Sequence, residues 1–470
     1  MFDLGIEGGT LFTPAGAIKA NLYILHEKIA AIAGERLASQ RTLNADGAYI
    51  FPGAIDAHVH SRDPGLTHKE TFAHSTQAAA AGGVTTILEM PNSIPPVIDA
   101  ASFQDRLSHL MPQARVDFGL WGMLTAQTEA AQVAALAQLG VVGFKLFWGY
   151  ALDKTTLALV YSASDPQAVI PPPSNGQVLE LGQWVARTGR VLAMHAEDAA
   201  IITHRSGQST PALSAYARLL YERPSVSEAL AIEMGIRLAH ESRCPLHIVH
   251  MACQEGVDIV QQARQRGIDV TAETCPQYLT LTASDAERAG TLGKVYPPIR
   301  SERHRQALLK GLLTNAVSLV ASDHAPHSRD EKSQPMAKAP AGVAGVQTLL
   351  PLLFDVALRG ELPIASIPLW LAERPAERFG IAHRKGRVAI GLDADVVVLD
   401  PAGHTVIEPA SLYSLNPDNP WQGKTLRGRV VWTVLRGRVI AQNGRPRDQA
   451  GGQFVPHCQG PQDTVHETRG

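Results

Sequence analysis

Along the middle of the chain, short apolar runs alternate with longer stretches in which apolar residues return every third or fourth position. The short runs read as strands at 50–60, 85–91, 116–123, 142–147, 191–195, 246–251, 270–274 and 318–323. Between them, 69–81, 101–110, 128–139, 177–187, 226–240, 256–266 and 302–313 carry the helical period, and 346–358 follows the last strand. Eight strands separated by helices predict a TIM-like (β/α)8 barrel over residues 52–385 rather than an open doubly wound sheet. Both ends of the chain differ from this pattern. Residues 1–51 and 386–450 are β-rich with glycine turns, and they are predicted to pair into a small β-sandwich domain beside the barrel. From Gly451 the chain is rich in Gly, Gln and Pro without apolar period, and 451–470 is predicted to be a flexible tail. Two irregular stretches, 150–176 and 324–342, leave the carboxyl ends of predicted strands, where barrel active sites lie, and are candidate substrate loops.

Composition narrows the class. The 470 residues are 45% hydrophobic and 18% charged, as in a folded globular enzyme. A net charge of −2 gives no electrostatic footprint for nucleic acid or an anionic membrane. No apolar run is long enough to span a bilayer, and the opening segment lacks the basic and apolar regions of a secretory signal. Four cysteines (Cys244, Cys253, Cys275 and Cys458) show no disulfide framework, which favours a reducing, cytoplasmic setting.

The chemistry gathers at the ends of the predicted strands. In Asp56-Ala57-His58-Val59-His60-Ser61-Arg62, the two histidines project from the same face of a strand, a ready pair of metal ligands. Arg62, one step further along that face, is placed to hold an anion. Lys145 lies in the apolar run 141–147, where an unpaired ammonium is costly. Either a salt bridge or carbamylation by CO2 would resolve that cost. His195 ends one strand and Asp323 another, and Asp323 can both bind a metal and shuttle a proton. His247 and His250, three positions apart, should face opposite sides of their strand; His250 is the better ligand and His247 a hydrogen-bonded structural group.

Taken together these residues resemble the cyclic amidohydrolases: dihydroorotases, allantoinases and hydantoinases. The run 56–65 with Thr67-His68-Lys69-Glu70, the run Glu89-Met90-Pro91-Asn92-Ser93, and Ser322-Asp323-His324-Ala325-Pro326-His327 are similar to dihydroorotase motifs. The resemblance covers nearly the whole chain. It implies two divalent metal ions, usually zinc, with His58, His60 and Asp323 on one and His195 and His250 on the other. Lys145, carboxylated by CO2, would bridge them. It further implies a bridging hydroxide that attacks a cyclic amide, with Asp323 as general acid and base, and a substrate carboxylate held by Arg62, Asn92 and His327. The leading expectation is therefore a dihydroorotase-type hydrolase that opens or closes a small cyclic amide. Homo-oligomers are common in the family, although the sequence shows no interface signature of its own.

Other segments depart from that type. Tyr296-Pro297-Pro298-Ile299-Arg300 has Tyr where many dihydroorotases have Asn, and Cys275-Pro276-Gln277 stands where they have Pro-His. The stretches 273–276 and 342–347 look more like allantoinases. The alternative is thus an allantoinase, a hydantoinase or dihydropyrimidinase, or another cyclic imide hydrolase. A non-catalytic barrel homologue is disfavoured by the complete set of candidate ligands.

Overall fold

The computed structural model describes residues 1–160, 166–208 and 212–458. Eight parallel strands form a barrel: β1 (Ala54–Val59), β2 (Val84–Glu89), β3 (Asp117–Leu120 continued by Gly122–Leu124), β4 (Gly143–Trp148), β5 (Val191–Ala196), β6 (Leu246–Ile248), β7 (Val270–Thr274) and β8 (Leu319–Val320). Neighbours pair in sequence order. The ring closes where Val59 bridges His324 and the His60 N–H donates to the His324 carbonyl at 2.8 Å. At Trp121 the third strand breaks its ladder, and the indole N–H donates to the Ala57 carbonyl at 3.3 Å.

Side-chain alternation sorts each strand into two faces. On β4, Phe144 and Leu146 join the large cluster under the surrounding helices, while Lys145 between them points the other way. On β5, Leu192 and Met194 pack outward, while Val191 and Ala193 join an inner cluster with Trp121, Leu319 and Phe379. This inner apolar cluster lies beneath the polar groups gathered at the barrel's carboxyl end.

The predicted run 50–60 is two strands. Gly53 separates them because any Cβ there would lie 2.2 Å from Thr85 Oγ1. Tyr49–Pro52 pairs antiparallel with Val396–Val406 instead of joining the barrel. That pairing belongs to a seven-stranded sheet assembled from both chain ends, and a four-stranded sheet from the N-terminal segment accompanies it. Leu4, Ile6, Leu22, Ile50, Val396 and Val434 share a core of their own. A buried ion cluster ties these sheets to the barrel. Lys385 Nζ lies 2.5 Å from Asp117, 2.6 Å from Asp395 and 2.8 Å from Asp393.

Residues 451–458 differ from the expected flexible tail. Phe454 bridges Phe118, the Val455 N–H donates to the Phe118 carbonyl at 2.8 Å, and Val455 is fully buried. Two apolar residues in a polar stretch are enough to dock it, and Gly452 permits the approach, since a Cβ would lie 2.0 Å from the Val116 carbonyl oxygen. The remainder of the predicted tail, 459–470, lies outside the described residues, as do 161–165 of the first irregular stretch. Around the latter, Ala151–Asp153 pairs with Leu159–Val160 and Val169–Ile170 in a small sheet over the barrel mouth. No helix among the described residues is long and apolar enough to cross a membrane.

Candidate active site

His58, His60, Lys145, His195, His250 and Asp323 line one cavity at the carboxyl end of the barrel, together with Arg62, Asn92, Phe147, Tyr150, Leu159 and Tyr296. Two sets of donor atoms meet there. His58 Nε2 and His60 Nε2 lie 3.2 Å apart, with Asp323 Oδ1 at 3.4 and 3.5 Å from them. His195 Nδ1 lies 2.9 Å from His250 Nε2. Ligands around a tetrahedral ion at ordinary bond lengths stand about 3.3 Å apart, so each set has the spacing to hold one ion.

Backbone conformation places these groups. β6 ends at Ile248 and β8 at Val320, and His250 (φ 41°), Asp323 (φ 50°) and Arg62 (φ 61°) all adopt the left-handed region. Non-glycine residues held there concentrate at functional sites. This turn overrides the strand alternation expected for His247 and His250. His247 Nε2 donates to Glu273 Oε2 at 3.0 Å, and the His250 N–H donates to Glu273 Oε1 at 3.2 Å.

Behind the donors stands a layer of hydrogen-bond acceptors. His58 Nδ1 donates to Glu273 Oε1 at 2.5 Å, His60 Nδ1 to Asn92 Oδ1 at 2.7 Å, and His195 Nε2 to Glu197 Oε2 at 3.1 Å. Each contact presents the opposite ring nitrogen, unprotonated, to the cavity, as metal-binding imidazoles require. Burial holds the His60 ring at about 3 and lowers His195 and His250 as well, so these imidazoles are neutral. Asp323 lies below its ordinary value: burial pushes it upward, and positive charge nearby, Lys145 included, more than offsets that.

Lys145 supplies the decisive test of fit. Its amine is fully buried and, among the described residues, has no hydrogen-bond partner. Burial lowers it to about 8. It acts electrostatically on Asp323 in one donor set and on His195 and His250 in the other. Of the two resolutions open from sequence, no salt bridge to Lys145 forms among the described residues. Neutral imidazoles, a carboxylate and a buried amine with no hydrogen-bond partner among the described residues fit a site that could hold metal ions.

Of the three residues expected to bind a substrate carboxylate, Arg62 and His327 are neighbours, Nη2 lying 3.3 Å from Nε2. Arg62 and Asn92 reach the cavity wall; His327 does not. Its Nε2 donates to the Ala341 carbonyl at 3.0 Å, and Lys69 Nζ, 3.3 Å away, donates to its Nδ1. The Asn92 amide oxygen is already engaged by His60. Sequence reasoning assigned no role to Glu273, Glu197, Tyr150 or Arg223. The readable signal was acidic residues inside apolar strand ends, since a buried carboxylate demands partners.

The fold and these residues agree with a family match. The amidohydrolase family model matches residues 49–440. The chain belongs to the amidohydrolase family. This amidohydrolase is an enzyme, a hydrolase. It is similar to the allantoinase of Rubrobacter xylanophilus, 38% identical over 459 residues and covering 97% of each chain. It is also similar to the dihydroorotase of Halobacterium salinarum, 34% identical over 434 residues, covering 88% of this chain and 95% of that one. Among solved structures it resembles the L-hydantoinase from Arthrobacter aurescens, with a TM-score of 0.87 and 30% identity over 97% of this chain and 100% of that one.

Proposed function

We propose that this amidohydrolase opens a cyclic ureide of the allantoin type, rather than a ring that carries its own carboxylate. The observation that carries the choice is that two of the three expected anion-pocket groups are already engaged by other groups of the protein. His327 is engaged by Ala341, Lys69 and Arg62, and the Asn92 oxygen by His60. Arg62 alone of the three remains a charged group on the wall. The allantoinase likeness over nearly the full chain supports the same reading.

His58, His60 and Asp323 would hold one divalent ion and His195 and His250 the other, and Lys145, carboxylated by CO2, would complete the donor set; imidazole-rich donors suit zinc. Ions bound there would supply an acidified water and polarise the ring carbonyl. The chain's own groups then divide the work. Asp323 accepts the proton of the attacking water and returns it to the departing ring nitrogen as the C–N bond breaks, leaving a carboxylate. Tyr150, on the cavity wall, donates a hydrogen bond to the carbonyl oxygen as charge develops on it. Phe147, Leu159 and Tyr296 restrict water, and Arg62 receives the new carboxylate.

The test is a paired assay of metal-loaded protein on allantoin, hydantoin, dihydrouracil and dihydroorotate. The expected result is a kcat/KM for allantoin at least about 100-fold above that for dihydroorotate. Preferred turnover of dihydroorotate would overturn the reading and return the carboxylate pocket to Arg62 and Asn92.

A further inference from the structure

Arg223 is buried where a guanidinium is costly. It follows the helix Ala215–Glu222, precedes Pro224, and its side chain is only 6% exposed. Nη1 donates to Glu197 Oε2 in a short contact and lies 3.3 Å from Tyr150 Oη. The guanidinium carbon sits 3.5 Å over the centre of the Tyr296 ring. Its backbone is fixed as well, since Arg300 Nη1 donates to the Arg223 carbonyl at 3.0 Å while Arg300 pairs with Glu228 at 3.1 Å. One buried cation thus touches both tyrosines of the cavity wall, with Glu197 as its anchor.

The Tyr150 oxygen faces a second N–H donor. His195 Nε2 is 2.9 Å away, and that nitrogen carries its one hydrogen when Nδ1 faces His250, sharing it between Tyr150 Oη and Glu197 Oε2 at 3.1 Å. Two donors directed at one phenolic oxygen occupy its acceptor positions, so the hydroxyl hydrogen serves as donor. A positive charge beside the oxygen also strengthens that donation.

We infer that Arg223 is a positioning residue for hydrolysis: anchored by Glu197, it orients the Tyr150 hydroxyl so that its hydrogen faces the substrate carbonyl. This inference rests on the hydrolytic reading above, in which Tyr150 meets the developing negative charge. A guanidinium serves where an ammonium would not, because its planar fork reaches Glu197 and Tyr150 together while its face packs on Tyr296.

The experiment is a double-mutant cycle on metal-loaded protein with Arg223→Met, Tyr150→Phe and the pair. Metal content, unfolding temperature and a crystal structure of Arg223→Met accompany the kinetics. Methionine keeps an apolar contact with the Tyr296 ring. Each single variant is expected to lose about 100-fold in kcat, with KM within about threefold and metal content unchanged. The pair should be no more than about threefold slower than Tyr150→Phe alone. In the crystal structure, Tyr150 Oη should leave its position beside His195 while the donor sets stay in place. Wild-type kcat in Arg223→Met, losses that multiply in the pair, loss of metal, or an unmoved Tyr150 would each overturn the assignment. If Arg223→Met does not fold, Arg223→Lys replaces it. A loss of about tenfold, absent when Tyr150 is already Phe, supports the assignment, and an unchanged kcat overturns it. Wild-type protein inactive on every ring tests the functional reading instead; the displacement of Tyr150 in the crystal structure then still decides the role of Arg223.

Discussion

At the scale of single residues, the group of candidate donors that the structure gathers in one cavity was legible because it depends on rules that act locally. His58 and His60 share a strand face, and Lys145 and His195 interrupt apolar strands where only function or pairing explains them. Contacts between distant segments were not legible. Nothing in the order of residues says that Glu273 serves both His58 and His247, or that Ala341 and Lys69 claim His327. Asn92 shows the consequence: it was assigned to substrate, but its oxygen orients His60. Asn92→Ala is therefore expected to weaken metal binding about 10–100-fold, read by competition with a chelating dye. His327→Ala should leave kcat/KM for allantoin within about threefold; a large rise in KM would restore it to the substrate pocket. Asp323→Asn should retain much of its metal, measured by elemental analysis, while kcat falls about 10²–10⁴-fold. Equal loss of metal and fold would make Asp323 chiefly structural.

At the scale of elements, the period of apolar residues identified every barrel strand but misjudged where several stop. The apolar runs predicted at 246–251 and 318–323 are cut to Leu246–Ile248 and Leu319–Val320. The chain turns left-handed at His250 and Asp323, a backbone choice that hydrophobic pattern does not encode. Gly53 likewise hides a boundary inside a continuous apolar run, because the close approach of Thr85 is a tertiary fact. The segment 451–458 was misread for the converse reason: its composition is that of a loop, yet Phe454 packs edge-on against Phe103 at 5.7 Å and Val455 is buried. A chain ending at residue 450 should therefore unfold about 2–5 °C lower in a calorimetric scan, since a fully buried Val455 and a partly buried Phe454 contribute up to about 1.5–3 kcal/mol each. Allantoin turnover at 25 °C should persist, because the segment contacts β3 rather than the cavity. An unchanged melting temperature would show that the docking contributes nothing.

At the scale of the molecule, the barrel and the sheets from the chain ends are joined by buried charge. Lys385 meets Asp117 of β3 and both Asp393 and Asp395, which lead into the seven-stranded sheet. Burial pushes Asp393 upward, but Lys385, then Lys28 and Arg384, outweigh it and hold the carboxyl at about 2, below its ordinary 3.8. A carboxyl lowered by folding stabilises the native state above its unfolded value and loses that contribution as pH falls through the folded one. Asp393→Asn should therefore be less stable than the wild type at pH 7 by urea unfolding, with the gap closing between about pH 4 and pH 2. A gap independent of pH would remove Asp393 from the electrostatic account. The central claim concerns the cavity itself, where two donor sets flank a buried Lys145 amine. The most direct measurement is the metal content per chain of purified wild-type protein beside Lys145→Ala, with ring-opening activity on the same samples. The account predicts two divalent ions in the wild type, at most one in Lys145→Ala, and partial recovery of the variant's activity with added short carboxylic acids. Ring opening by wild-type protein that binds no metal, or a fully active Lys145→Ala with two ions, would contradict it.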